Sequence, residues 1–271
     1  MKKEFFDANQ KLWDEYALAH FSSNFYNVKG FLNGETTLKS FELEELTDVK
    51  SKTLLHLQCH FGLDTLSWAR EGAIVTGVDF SLEAIRLAKQ LAEKAHLKAT
   101  FIQSDVYKLP EKLSKKFDIV YTSFGVIVWL PDLIKWARVI SHFLKPRGKF
   151  YFAEFHPFVQ IFDEEDPSGL KLKYDYFPNA EPHIFENSSG GSYATSDERI
   201  KQPVSYEWQH SLSEIFNSLI KAGLRIDSFN EYPITFFPQF PFAVKQEDGT
   251  WHLPSLPAKL PLTFSLLATK V

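Results

Sequence analysis

The sequence predicts a doubly wound α/β protein, and three observations carry that prediction. Between residues 53 and 155, five apolar runs of strand length alternate with helix-patterned segments. Within that span, TLLHLQCHFGLDTLSWAREGAIVTGVDFS (53–81) reads as strand, turn, amphipathic helix and a second strand ending in an acid. Serine and aspartate stand where helices should begin, and glycine where they should stop. Right-handed crossovers follow from the strand–helix–strand alternation.

Residues 53–59 are apolar enough for a buried parallel strand. Leu63, Leu66 and Ala69 follow at helical spacing, and Gly72 ends that helix. IVTGVDF is the second strand. Ser81 is an N-cap, with Glu83 in the first turn, for a helix whose inner face includes Leu82, Ile85, Ala88 and Leu91. ATFIQSD and FDIVYTS are strands three and four. Asp132 caps a helix facing inward through Leu133, Trp136, Ala137, Ile140 and Leu144, and KPRG turns the chain into strand five, KFYFAEF.

The alternation then stops. Residues 156–204 hold prolines and scattered aromatics with no helical period. Strand–helix connections usually take about two to six residues, so this stretch reads as a functional insertion. Helical patterning returns at 208–222, where Leu212, Ile215, Phe216, Leu219 and Ile220 share a face. LRIDSFNEY is a sixth strand, and PLTFSLLATK is a seventh after a proline-rich connection at 232–261. The first fifty residues are helical and aromatic and lie outside the sheet. The expected organisation is a helical cap (1–50), a core (51–155 and 205–271) and a substrate-side insertion (156–204).

Composition narrows the function. Net charge is −4 over 271 residues with no dense basic run, which argues against a nucleic-acid partner. One cysteine excludes a disulfide framework and suggests a reducing, cytoplasmic setting. No apolar run is long enough to cross a bilayer. His56, Cys59 and His60 cluster, but zinc needs a second ligand pair of similar spacing, so no metal is expected. The acidic run DEED (163–166) is read as a solvated loop, with attraction for a cationic acceptor as its functional alternative. Oligomeric state is left open.

The turn QCHFG is the expected floor of a ligand site, because ligands in such sheets sit outside the carboxyl ends of the strands. A dinucleotide requires glycines for close approach of its pyrophosphate, and here one glycine, Gly62, remains beside bulky His60 and Phe61. A nucleoside-like ligand without phosphates fits better. Asp79 ends strand two at about the spacing where an acid takes ribose hydroxyls. Asp105 ends strand three, where it can accept from an adenine amino group, with Phe80, Val106 and Leu82 around the base. A lone Asp at a strand end is often a turn residue. Two at successive strand ends favour ligand binding.

Over residues 50–155, 205–231 and 262–270, the chain resembles the class I, Rossmann-like S-adenosylmethionine-dependent methyltransferases. LHLQCHFG stands at that family's first motif and matches its last glycine and common cysteine (Cys59), but has His56 for the acid, Gln58 for the first glycine and His60 for the second. HLQCHFGLDTLS resembles a variant form of that motif. VDFS, SDV, FDIVYTSFGVIVWLPDL and LKPRGKFYFAEF match the later motifs more closely. The resemblance implies a seven-stranded sheet in the order 3-2-1-4-5-7-6, last strand antiparallel, with S-adenosylmethionine as cofactor and a small-molecule acceptor. Two rivals stand beside it: a non-catalytic protein that binds the same cofactor, and a dehydrogenase with an atypical nucleotide turn.

Methyl transfer needs alignment and a dry pocket more than a catalytic triad. Ser123, Phe124 and Gly125 should border the methyl group, and Trp129 either packs over the cofactor or lies in the core. Glu154 and His156 end strand five. His156 is the first candidate for an acceptor contact or base, and His210 the second, against a turn residue and an exposed helix-start histidine as the structural alternatives. Tyr206, Glu207 and Trp208 rejoin the sheet nearby. In the cap, Trp13, Tyr16, His20, Phe25 and Tyr26 form an aromatic set in which Tyr16 or Tyr26 reaches the cofactor carboxylate, or simply packs on the sheet.

Overall fold

A computed structural model describes residues 2–177, 181–186, 191–197, 199–254 and 258–271; the remainder of the expected insertion and of the proline-rich connection lies outside them. Three helices come first: α1 (Lys3–Phe21), α2 (Val28–Leu32) and α3 (Ser40–Glu45). The alternating part follows as β1 (Thr53–Leu57), α4 (Leu63–Arg70), β2 (Ile74–Asp79), α5 (Leu82–Lys94), β3 (Ala99–Gln103), α6 (Leu109–Lys112), β4 (Phe117–Ser123), α7 (Leu133–Phe143) and β5 (Leu144–Phe155). Short strands β6 (His183–Glu186), β7 (Gly191–Ser192), β8 (Thr195–Ser196) and β9 (Val204–Glu207) precede α8 (Leu212–Lys221). Then come β10 (Leu224–Tyr232), β11 (Val244–Lys245), β12 (Trp251–His252) and β13 (Thr263–Lys270).

Seven strands form one sheet in the order β10-β13-β5-β4-β1-β2-β3. Numbered among themselves and read from the other edge, this is the expected 3-2-1-4-5-7-6. β13 runs antiparallel to both β5 and β10, while the other ladders are parallel. The strand period of two separates the core onto the sheet's two faces. Leu55, Leu57, Val120, Phe150 and Phe152 pack toward Trp136 and Ile140 of α7 and Ile215 and Leu219 of α8. Leu54, Ile119, Tyr121, Tyr151 and Ala153 pack on the opposite face with Trp68 and Phe41. Both faces are largely covered by apolar side chains, which is why β1 and β4 read as mostly apolar runs interrupted by His56 and Asp118.

The caps at Ser81 and Asp132 stand where expected, and Ser211 adds a third. Ser81 Oγ accepts from Ala84 N at 3.0 Å, Asp132 Oδ1 from Lys135 N at 2.9 Å, and Ser211 Oγ from Glu214 N at 3.3 Å. Three boundaries differ from the sequence reading. The helix expected from 208 begins at Leu212, because Ser211 caps it. Leu144 opens β5 rather than ending α7. KPRG is a bulge inside β5, with Arg147 at φ 62° and a register shift between Phe117 and Ile119. Two side chains leave their expected inner faces: Leu82 is 61% and Ile220 55% exposed. Among the described residues, no helix is long and apolar enough to cross a membrane.

Candidate functional site

A cavity of about 1200 Å³ opens at the carboxyl ends of β1, β2, β3 and β4, where strand order reverses around β1. Its floor is the turn after β1. Gln58 and His60 hold φ of 57° and 51°, and Gly62 holds 80°. The two positions aligned with the first and second glycines thus keep a glycine-like backbone with bulky side chains, each at a cost of roughly 1–2 kcal/mol. Gly62 is excluded from carrying a side chain for a second reason: a Cβ there would sit 2.7 Å from the Phe101 ring. Cys59 is buried below the turn, with its thiol pushed well up by burial.

Asp79 closes the turn from beneath. It is 6% exposed, and its two carboxylate oxygens accept from His60 N at 2.7 Å and Ser81 N at 2.9 Å. Burial raises its pKa to about 6, against the pull of those two bonds. The ribose-facing position expected for this acid is not what the geometry gives. Asp79 lies behind the cavity wall, while its neighbours His60 and Phe80 line it. Asp105 does face the cavity, with one oxygen accepting from Tyr107 N at 2.9 Å, beside Val106 and Phe80. Leu82, expected to flank the base, is absent from that wall; Phe6 instead packs edge-on to Phe80 at 5.6 Å.

The loop after β4 is held by one buried carboxylate. Glu154 accepts from Gly125 N, from Val126 N at 2.8 Å, from Ile127 N at 3.2 Å and from Phe155 N at 2.8 Å. It is fully buried and does not line the cavity, so it positions Gly125–Ile127 rather than meeting a ligand. Ser123, Phe124 and Gly125 line the wall as expected, and Ser123 Oγ donates to Asp64 Oδ2 at 3.0 Å. Trp129 resolves toward the cavity: its Nε1 donates to Gly125 O at 2.9 Å and its ring meets Trp13 edge-on at 5.2 Å.

The cap helices supply the roof. Trp13, Tyr16 and Tyr26 line the cavity, and fully buried His20 stacks between the two tyrosines at 5.0 and 5.1 Å. His20 Nδ1 lies 3.2 Å from His60 Nε2 and its Nε2 lies 2.8 Å from Ser192 Oγ. Tyr26 and Tyr193 share a hydroxyl–hydroxyl hydrogen bond. Burial lowers the His20 pKa to about 3 and that of His60 well below the usual range, so both rings are neutral. Cap, turn and the segment between β7 and β8 therefore meet in one latch. Among the described residues, Gln58 Oε1, His60 Nδ1 and Trp13 Nε1 are buried polar atoms of this part of the wall without a hydrogen-bond partner.

His156 and His210 are not brought to the cavity. His156 is 4% exposed, accepts from Phe158 N through Nδ1 at 3.1 Å and sets Nε2 3.0 Å from Glu231 Oε1. His210 is 3% exposed, between Glu214 Oε2 at 2.9 Å and Leu130 O at 2.8 Å. Each links loop to sheet or helix. Tyr206 also turns away, stacking on Phe5 at 4.3 Å, whereas Glu207 and Trp208 line the wall. Sequence reasoning missed Asp64, in the first turn of α4, and a buried network behind it. There the Glu42 carboxyl accepts from Tyr121 OH, and His56 Nδ1 lies 2.8 Å from Thr65 Oγ1. The polar His56 in an otherwise apolar strand was the one available signal. Among the described residues no group of three His, Cys, Asp or Glu could hold a metal ion.

A family model described as a methyltransferase domain matches residues 54–148, which span β1 to the bulge of β5. A ubiquinone biosynthesis O-methyltransferase of Vibrio campbellii is 31% identical over 114 residues, covering 42% of this chain and 48% of the relative. The chain thus spans about half the length of the curated relatives it matches. A solved S-adenosylmethionine-dependent methyltransferase from Mesorhizobium loti superposes with a TM-score of 0.57 at 19% identity, over 88% of this chain and 99% of that one. The [4+2]-cyclase SpnF superposes with a TM-score of 0.50 at 16% identity, over 85% of this chain and 78% of that one. These likenesses establish the fold, and the cyclase shows that the fold hosts more than one reaction.

Proposed function

We propose that the protein is an S-adenosylmethionine-dependent methyltransferase acting on a small molecule. One observation carries the reading: a cavity at the sheet's reversal point whose cofactor-side wall holds Gln58 Oε1, His60 Nδ1 and Trp13 Nε1 unpartnered beside the Asp105 carboxylate. That mixture of acceptors and a donor suits the hydroxyl, amino and carboxylate groups of an adenosyl amino acid, and no phosphate cradle accompanies it. The variant first motif fits this ligand. Gln58 and His60 keep the glycine-like turn and add side-chain hydrogen-bonding groups. Asp79 contributes by fixing the turn through His60 N, and Asp105 accepts from the base.

The bound cofactor supplies a methyl group on a positively charged sulfur, which an acceptor's lone pair takes while the carbon–sulfur bonding pair leaves with sulfur. The chain's own work is to align and to exclude water. Glu154 holds the Gly125–Ile127 backbone at the site's edge, and Trp13, Trp129, Tyr16 and Tyr26 roof it. The cavity is large enough for a cofactor and an acceptor side by side. With His156 and His210 away from the cavity, proton removal falls to the acceptor's own acidity, to a wall carboxylate or to an unpartnered wall imidazole such as His60 or His183.

Thermal unfolding with S-adenosylmethionine, S-adenosylhomocysteine and NAD tests this. A ligand at a hundred times its dissociation constant adds about 2.7 kcal/mol, or roughly 5–11 °C for a chain of this size. Shifts with both adenosyl ligands and none with NAD are expected. A shift with NAD alone would overturn the reading, and adenosyl binding with no turnover on any acceptor would leave the non-catalytic alternative.

A further inference from the structure

The far end of the cavity is built from the insertion, the end of β9 and the proline-rich connection, and its chemistry is one-sided. Glu164, Glu207 and Gln239 line it from three separate segments. Gln239 is 4% exposed and donates Nε2 to Glu164 Oε1 at 3.0 Å, so its Oε1 is an acceptor with no partner. Glu207 accepts from Ser205 Oγ at 3.3 Å, and among the described residues no cation pairs with it. His183, opposite Glu207 in the β6–β9 ladder, adds an unpartnered Nε2.

The run DEED divides at this wall. Asp163 pairs with Lys173 at 2.9 Å, and Asp166 accepts from Ser168 N at 2.8 Å and meets Lys171 at 3.7 Å. Glu164 alone of the run bonds to buried Gln239. Burial and the charge of Glu164 lift the Glu207 carboxyl to about 7, and burial also raises Glu164. Two buried carboxyls on one wall, with the unpartnered Oε1 of Gln239, whose amide is bonded to one of them, make a place that a donor-rich cation relieves. Over the whole wall, seven carboxylate side chains face three lysines among the described residues. Lys173 is paired with Asp163, and Lys39 lies over Phe236 at 4.7 Å. Trp208 adds aromatic surface suited to a cation, and the Tyr174 ring already carries the Lys173 ammonium at 5.4 Å.

We infer that this end of the cavity is a subsite for a protonated amine of the methyl acceptor, seated against Glu164, Glu207 and the free Oε1 of Gln239. The inference rests on the methyltransferase reading for the word acceptor, but the subsite can be tested without it.

The probes are matched sets: benzylamine, benzyl alcohol and benzoate, then phenethylamine, phenethyl alcohol and phenylacetate. Dissociation constants are measured by ligand-observed NMR on the full chain, alone and with S-adenosylhomocysteine. Expected is tighter binding of each amine than of its alcohol and acid, with the preference reduced about tenfold in Glu207→Gln and in Glu164→Gln. Equal binding across a set, or preference for the acids, overturns the inference. So does weaker S-adenosylhomocysteine binding in either variant, which would assign the carboxylates to the cofactor. An amine preference without any S-adenosylhomocysteine binding would break the methyltransferase reading and leave the cation subsite standing.

Discussion

The two ends of the cavity are built by different means. At the cofactor end, backbone geometry does the work: consecutive strand ends, a turn with three left-handed residues, and two acids, Asp79 and Glu154, whose oxygens are taken up by main-chain N–H groups. At the far end, side chains from distant segments meet, as Glu164 meets Gln239 and β6 meets β9, and their acceptors are left open. Groups satisfied internally, as Asp79 and Glu154 are, resist change through stability. Groups that await a ligand, whether at the far end or on the wall above the turn at Gln58, His60 and Asp105, can change in affinity with little effect on folding. Substitutions should therefore separate into these two kinds.

The largest effect is expected for Gly62→Ala. A left-handed residue whose Cβ would lie 2.7 Å from Phe101 should lose about 3–4 kcal/mol in chemical denaturation. A loss below about 1 kcal/mol would mean that the turn yields easily and the contrast is overdrawn. Next is Glu154→Gln, which sets an amide NH2 against backbone donors. A cost of about 2–4 kcal/mol is expected, with poorer cofactor binding because Gly125–Ile127 lose their anchor. Asp105→Asn sharpens the comparison from the other side. Unfolding should change by less than about 0.5 kcal/mol while S-adenosylmethionine affinity, by calorimetry, drops about tenfold.

The smallest effect is a pH dependence. Burial, reinforced by Asp64, holds the Glu42 carboxyl at about 7, above its unfolded value of 4.5. The fold favours its protonated form, so this contribution is complete below the unfolded value and lost as pH rises through 7. His20 and His56, lowered to about 3 and 4 by burial, act in the opposite sense, and their contribution nears completion as pH rises past about 6.5. Between about pH 6.5 and 8 the last of the histidine gain opposes the carboxyl loss, and Glu42 should lower stability by about 1 kcal/mol relative to a chain without that carboxyl. Denaturation at the two pH values should show a smaller fall in Glu42→Gln. An unchanged fall would place the titration elsewhere, with Glu207 the next to examine.

The same contrast explains what the sequence made legible. The sheet could be read because its signals are local: Ser81 and Asp132 at helix starts, mostly apolar runs at β1 and β4, glycine after α4. The floor of the site could be read because strand ends place Gly62, Phe80, Asp105 and Ser123 automatically. Asp79 was placed correctly along the chain but not in its contacts, since the left-handed His60 turns its N–H toward that carboxylate. His156 and His210 were natural candidates from position, yet their partners, Glu231, Glu214 and Leu130, follow from tertiary packing alone. Nothing local says that Glu164 turns inward while Asp163 and Asp166 do not.

The direction of β13 has a consequence for how such a protein can diverge. Because β13 is antiparallel, its first residue, Thr263, pairs with the last residues of both β5 and β10, Phe155 and Tyr232. The segment following β5 and the segment following β10 are thus moored along a single rim of the sheet. Lengthening a flexible segment with fixed ends costs only about 0.6 kcal/mol for each doubling. A lineage can accordingly rewrite both segments, and with them the guest they enclose, while the ladders beneath keep their register.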